Sequence, residues 1–233
     1  MKLLLISNST NAGEAYLKYP IAQIAEHLAG ISEVIFVPYA AVTFSYDEYE
    51  RKVQERFDEI GIKVRSIHRE KNPAKAIKGA QAICVGGGNT FALTKKMQKQ
   101  GLMKAILKRV KEGVPYVGWS AGSNVCCPTI CTTNDMPIVE PESFKAIGAV
   151  KFQINPHYLE ANPEGHAGET REQRILEYIE ANPRRYVVGL REGCMLRYID
   201  GKLELIGSRP MRIFKKGVET YEVNAGDDLS FLL

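Results

Sequence analysis

Ser120 stands in Gly118-Trp119-Ser120-Ala121-Gly122, a G-x-S-x-G arrangement. That spacing suits a serine held on a sharp turn between a strand and a helix. In such an elbow the serine takes a strained backbone conformation, and glycines keep bulky neighbours out of the turn. Its hydroxyl then projects from the carboxyl edge of a sheet, where α/β folds carry their sites. The N–H of Ala121 points to where an oxyanion would form. The competing reading is an ordinary turn that contains a serine. The apolar run Val114-Pro115-Tyr116-Val117 before it and the longer segment after it favour a nucleophile. Ser123, three residues on, reads as an interior helix hydroxyl.

Gly86-Gly87-Gly88-Asn89-Thr90 also ends an apolar run and opens a helical one. Glycines let backbone N–H groups approach a ligand closely. The stretch suits a phosphate cradle or the second half of an oxyanion hole, with a plain helix-entry turn as the alternative. It matches neither G-x-x-x-x-G-K-[ST] nor G-x-G-x-x-G. Beside a serine elbow the oxyanion reading is preferred, with Gly88 as the donor and Asn89 among the residues expected to touch substrate.

A nucleophilic serine needs a base, and the base needs an orienting carboxylate. Of four histidines, His27 and His68 read as structural or solvated. His166 lies in the loop-like Pro163-Glu164-Gly165-His166-Ala167-Gly168. His157, in Asn155-Pro156-His157-Tyr158, follows a strand-like run on a rigid turn, because proline pushes the preceding residue to an extended form. His157 is therefore favoured over His166. Asp135, in Thr132-Thr133-Asn134-Asp135, and Glu192, in Arg191-Glu192-Gly193, are the candidate carboxylates. Either could be a turn residue, and spacing does not choose between them.

These residues must be positioned by alternating strands and helices. Leu3–Ile6, Val34–Val37, Val64–Ile67, Ala82–Val85 and Tyr116-Val117 read as strands. Tyr16–Leu28, Asp47–Ile60, Pro73–Ala80 and Thr90–Glu112, the last interrupted at Gly101, read as helices. That rhythm argues for a mostly parallel sheet with helices on both faces. Nearly continuous apolar strands fit burial on both sides. Further on, Phe152–Ile154 reads as a strand. Thr170-Arg171-Glu172-Gln173 has the form of a capping box, so a helix is expected over Arg171–Glu180. Tyr186–Ile206 reads as a hairpin, because Asp200-Gly201 is a strong turn signal. Met211–Val223 reads as one more β pair. With no linker, repeat or low-complexity stretch, residues 1–233 read as one domain.

Composition narrows the function classes. The chain has 233 residues, 45% hydrophobic and 25% charged, with a net charge of +4. The densest basic stretch, Lys95–Gly113, carries Leu102, Met103, Ile106, Leu107 and Val110 at helical spacing, so its lysines read as the solvated face of an amphipathic helix. It has neither the interleaved aromatics nor the module of a nucleic-acid binder. The N-terminal apolar core Leu3–Ile6 is shorter than the region of about 7–15 residues in a signal peptide. No run approaches the roughly 20 residues of a membrane span. The five cysteines are odd in number and lack paired CxxC motifs, which suggests buried thiols in a reducing compartment, the cytoplasm.

Taken together, LLLISNST, FVPYA, VGGGNTF, GWSAGSN, CPTI-x-TTNDMPIV, QINPHY, PEGH-x-GETREQRI and VGL-x-EG resemble the peptidase E (α-aspartyl dipeptidase) family, serine peptidase family S51. The resemblance runs in order along nearly the whole chain. It implies a flavodoxin-like fold, similar to class I glutamine amidotransferases with serine in place of their cysteine. It also implies cleavage of dipeptides with an N-terminal aspartate, with no metal or cofactor. Carried over by motif, Ser120 is the nucleophile and His157 the base. Glu192 is preferred as the histidine's partner, since in the related amidotransferases the triad acid also follows the histidine. Asp135 then fits substrate or amine recognition, although the family also points to it as catalytic. Three positions depart from the pattern: Ser123, where alanine is expected, and Cys194 and Met195.

An aspartyl side chain is naturally read by a bidentate arginine. Arg171, at the start of a helix whose N-terminus favours an anion, is the first candidate. Its alternative is a helix-surface residue. Two rival functions stand beside the dipeptidase: a cyanophycinase-like hydrolase of an aspartyl polymer, and a non-catalytic amidotransferase-like module whose GGGNT holds an anion. A monomer and a homodimer are both compatible with the sequence.

Overall fold

The computed structural model describes residues 1–160 and 168–233. The first half alternates as expected: β1 (Lys2–Ile6), α1 (Ile21–His27), β2 (Glu33–Val37), α2 (Tyr46–Phe57), β3 (Lys63–Ser66), α3 (Pro73–Lys78), β4 (Ile83–Val85), α4 (Thr90–Lys99), α5 (Leu102–Lys111), β5 (Tyr116–Trp119) and α6 (Ala121–Asn124). After it come β6 (Gln153–Tyr158), α7 (Arg171–Ala181), β7 (Val187–Arg191), β8 (Met195–Ile199), β9 (Lys202–Ile206), β10 (Met211–Lys215) and β11 (Val218–Val223).

The main sheet has seven strands in the order β3-β2-β4-β5-β1-β8-β9. β1 to β5 run parallel, and the β8–β9 hairpin closes one edge antiparallel. The interior strands β1, β2, β4 and β5 are nearly continuous in apolar residues because both faces are covered. Leu3, Leu5, Ile35, Val37, Ile83 and Val85 pack into the core on one face. Their alternates Leu4, Ile6, Val34, Phe36, Cys84 and Trp119 pack on the other. This period of two is how one strand serves two cores.

Several boundaries differ from the sequence expectation. The helix expected over Tyr16–Leu28 is confined to Ile21–His27, preceded by turns. Pro20 disfavours helical geometry at Tyr19, and the Tyr19 hydroxyl is drawn to Asn8 Oδ1 at 2.7 Å. The interruption expected at Gly101 is present: Thr90–Lys99 and Leu102–Lys111 are two helices, parted at Gly101 in a left-handed conformation (φ 67°). The hairpin expected over Tyr186–Ile206 is the shorter pair β8–β9. Glu192 and Gly193 turn the chain between sheets, so β7 instead joins a second sheet of order β11-β10-β7-β6. β6 extends through Tyr158, so His157 lies within a strand and not after one.

The close approach of α6 to β4 depends on Gly122. A Cβ there would lie 2.0 Å from the Val85 carbonyl oxygen, which is rigid backbone. At Gly101 the same atom would meet nothing within 4 Å. Gly122→Ala is therefore expected to cost about 3 kcal/mol or more through overpacking, and Gly101→Ala about 1–2 kcal/mol from its left-handed backbone alone. Urea unfolding of both variants checks this order.

Candidate active site

β4 and β5 are neighbours with Val85 opposite Gly118. The two glycine-containing loops that follow them therefore meet at the sheet's carboxyl edge. A Cβ on Gly87 would lie 3.0 Å from Ser120 Cβ. Gly88 needs its glycine for a different reason: at φ 128° a Cβ would come within 2.3 Å of the Ala40 carbonyl oxygen.

Ser120 has φ 54° and ψ −114°, a conformation that costs a non-glycine residue free energy. Hydrogen bonds hold it there. Ser120 N–H donates to the Ile6 carbonyl at 2.9 Å, and the Ser120 carbonyl accepts from Ser123 and Asn124 N–H at 2.9 and 3.0 Å. The Ser123 hydroxyl, fully buried, reaches the Ile6 and Gly118 carbonyls at 2.7 and 2.8 Å. Ser123 thus braces the elbow from inside. Ala121 begins α6, so helix geometry supplies no acceptor for its N–H.

His157 is another of the four non-glycine residues with positive φ among those described, at 53°. It sits on a bulge, since Asn155 to Tyr158 on β6 spans three steps against two from Gly189 to Arg191 on β7. A bulge re-aims a side chain. Here it turns the imidazole so that Nε2 lies 2.9 Å from Ser120 Oγ and Nδ1 lies 2.7 Å from Glu192 Oε1. An ionised carboxylate only accepts, so Nδ1 carries the ring proton and Nε2 is left to accept from Ser120. His157 and Glu192 side chains are 34% and 44% exposed, open enough for substrate to reach them.

Asp135 is placed elsewhere. Its Oδ2 accepts from Thr90 N–H at 2.7 Å, Thr90 Oγ1 at 2.5 Å and Thr133 Oγ1 at 3.1 Å, at the N-terminus of α4. No bond to Oδ1 occurs among the described residues. Asn89 caps the same helix: its Oδ1 accepts from Ala92 N–H at 3.0 Å and its Nδ2 donates to the Met136 carbonyl at 2.9 Å. Its amide is spent on backbone at both ends. Arg171 is the first residue of α7, behind a complete Thr170/Gln173 capping box. Burial lowers its guanidinium below the usual value, and the negative charge of Glu192 opposes that shift. Arg171, Arg174, Asp135, Thr133 and Asn155 line one cavity of about 170 Å³. That is small beside the roughly 300–1,000 Å³ of drug-sized ligand sites.

His166 lies outside the described residues. His68 spends its ring nitrogens on Ser66 and Asp47, at 2.6 and 2.9 Å. His27 is buried at the end of α1. Sequence reasoning missed Ser7. Its hydroxyl donates to the Leu190 carbonyl at 2.7 Å and accepts from His157 N–H at 2.9 Å. One buried hydroxyl on β1's end thus ties the His157 strand to the strand that leads to Glu192. Asn8 continues the tie, with Oδ1 accepting from Gly193 N–H at 2.9 Å. The polar run Ser7-Asn8-Ser9-Thr10 directly after a buried strand was the available signal.

Comparison with known proteins gives the family of the chain. The profile of peptidase family S51 matches residues 3–206. Peptidase E of Salmonella arizonae is 47% identical over 226 residues, 97% of this chain and 99% of that protein. Peptidase E of a Nostoc species is 48% identical over 233 residues, 100% of this chain and 96% of that one. In fold, the chain is similar to a crystal structure of a peptidase E-type protein from Listeria monocytogenes EGD-e, with TM-score 0.66, 21% identity and coverage of 89% and 98%. It is also similar to a peptidase from an acI-B1 actinobacterium, with TM-score 0.69, 17% identity and coverage of 99% and 96%. With a family profile across most of its length and close relatives over all of it, the chain belongs to peptidase family S51 and is an enzyme of that family.

Proposed function

We propose that the enzyme is a serine dipeptidase that releases N-terminal aspartate from Asp-Xaa dipeptides, with Ser120, His157 and Glu192 as its catalytic triad. The observation that carries this reading is the hydrogen-bonded line from Glu192 through His157 to Ser120, at 2.7 and 2.9 Å. His157 Nε2 takes the Ser120 proton as Oγ attacks the carbonyl of the aspartyl residue. Glu192 stabilises the imidazolium that forms. The N–H groups of Gly88 and Ala121 receive the oxyanion. The imidazolium then gives its proton to the leaving amine, and the C–N bond breaks. Water, deprotonated by His157, attacks the acyl-enzyme and frees aspartate and Ser120.

Specificity follows from charge. Arg171 faces the aspartyl side-chain carboxylate, and the unbonded Oδ1 of Asp135 accepts from the substrate's α-ammonium. A small cavity with both charges supports a free N-terminal aspartyl residue over an internal one in a polymer. Asn89 serves by holding the Asp135 loop to α4. The bond from Ser7 to both catalytic strands supports reading the whole chain as one peptidase domain. Cys84, Cys126, Cys127 and Cys194 are buried and unbridged, and burial pushes the Cys127 thiol up to about 12. These inert thiols favour the cytoplasm. Among the described residues, no helix is long and apolar enough to cross a membrane.

Wild-type enzyme is expected to hydrolyse Asp-Leu but not Ala-Leu, Leu-Asp or cyanophycin. Ser120→Ala should lower kcat by at least about 10⁴-fold. Hydrolysis of cyanophycin at a comparable rate would replace the dipeptidase reading with the polymer reading. Arg171→Met is expected to reduce kcat/KM for Asp-Leu at least about 100-fold and to narrow the gap to Asn-Leu, because a buried charge-assisted pair is lost. Ser7→Ala is expected to lower kcat about tenfold with KM little changed, whereas Ser7→Thr keeps the hydroxyl and most of the rate. Steady-state kinetics on these variants decide each point.

A further inference from the structure

We propose that Tyr49 is a positioning residue for the oxyanion hole: its hydroxyl locks the Gly87–Gly88 peptide so that the Gly88 N–H is presented to the reaction. The inference rests on the serine-peptidase reading and extends it to a residue far from the motifs that carry that reading.

Three consecutive glycines have the greatest conformational freedom a chain can offer. The ends of Gly86–Asn89 are tied to the loop after β2. Gly86 N–H donates to the Val37 carbonyl at 3.1 Å, and Asn89 N–H donates to the Ala40 carbonyl at 2.9 Å. The peptide between Gly87 and Gly88 is tied by one group only among the described residues. The Tyr49 hydroxyl, reaching in from α2, donates to the Gly87 carbonyl at 2.9 Å. In a trans peptide the carbonyl and the following N–H point in opposite directions. Holding the Gly87 oxygen toward α2 therefore turns the Gly88 N–H away from it. That N–H has no protein acceptor among the described residues.

The direction of the Tyr49 bond is not free to reverse. The Trp119 indole can only donate, and its Nε1 lies 3.1 Å from the Tyr49 oxygen. The Tyr16 hydroxyl donates to the same oxygen at 3.2 Å. With both lone pairs engaged, the single Tyr49 proton goes to Gly87. Donors feeding a donor strengthen it. Tyr49 is 3% exposed, edge-on to Phe36 with ring centroids 5.0 Å apart, so the ring cannot swing away. Gly86 must lack a side chain to admit this contact, since a Cβ there would lie 2.6 Å from the Tyr49 oxygen. Trp119 directly precedes the nucleophile. One hydroxyl thus registers the glycine loop, with the Gly88 donor, against the elbow that carries Ser120 and Ala121.

The test is Tyr49→Phe, which keeps the ring and removes only the hydroxyl. Losing an oxyanion donor outright costs about 10²–10³ in kcat, so loss of its orientation is expected to cost about tenfold or more. KM for Asp-Leu should stay within about twofold, and the melting temperature should stay far above the assay temperature. The rate at which a fluorophosphonate labels Ser120 should fall by a similar factor, because the phosphoryl oxygen uses the same hole. That readout needs no aspartyl specificity, so a wild type that labels but does not cleave Asp-Leu would sink the dipeptidase reading while still testing this one. If Tyr49→Phe does not fold, Tyr49→4-fluorophenylalanine fills the hydroxyl's volume without donating, and the same loss is expected. A folded variant of either kind with wild-type kcat and labelling rate overturns the proposal.

Discussion

Everything at this site depends on how closely backbone can approach backbone at the carboxyl edge of the sheet. Gly122 lets the start of α6 sit against the Val85 carbonyl, and Gly88 lets the loop after β4 sit against the Ala40 carbonyl. Without those approaches the loops after β4 and β5 could not share one pocket of space. The strained conformation of Ser120 is the local consequence. It is held by the Ile6 carbonyl on the adjacent strand and by the buried Ser123 hydroxyl beneath it. Strain of this kind persists only where the surroundings over-determine it.

The second constraint is that the serine and its partners come from different sheets. Ser120 follows a strand of the seven-stranded sheet, while His157 lies on a strand of the four-stranded one and Glu192 directly follows another. Hydrogen bonds of 2.7–2.9 Å tolerate little relative movement. Ser7 and Asn8 supply the connection, bonding from the end of β1 to Leu190, His157 and Gly193. The bulge at His157 supplies the aim. The polar groups around the site thus serve geometry before they serve chemistry.

Three carboxylates show how environment separates roles. Glu192 is half-exposed beside the imidazole. Asp135 spends one oxygen on three donors at a helix N-terminus, where its charge also complements the helix dipole. Glu172, next to Arg171 in sequence, pairs instead with Arg212 at 3.1 Å. Arg171 therefore keeps its positive charge uncommitted to Glu172 and directed to the cavity it shares with Asp135.

Much of this was legible in the sequence, because it depended on local pattern. Apolar runs spaced by amphipathic helices announced the parallel sheet. G-x-S-x-G marked the elbow, Thr170 and Gln173 marked the start of α7, and Asp200-Gly201 marked the β8–β9 turn. Each is a signal whose cause lies within a few residues. What spacing left open was long-range. Whether Glu192 or Asp135 meets His157 depends on a turn at Gly193 and a bulge at residue 157. Assigning β7 to a second sheet depended on pairing with β6, more than thirty residues earlier in the chain. Ser7 lies in a stretch whose local pattern assigns it no role, and Tyr49 lies in no motif at all. Their importance comes from a hydroxyl that meets a carbonyl 183 residues away in one case and 38 in the other. Such contacts exist only once the strands are in register, so tertiary structure alone could reveal them.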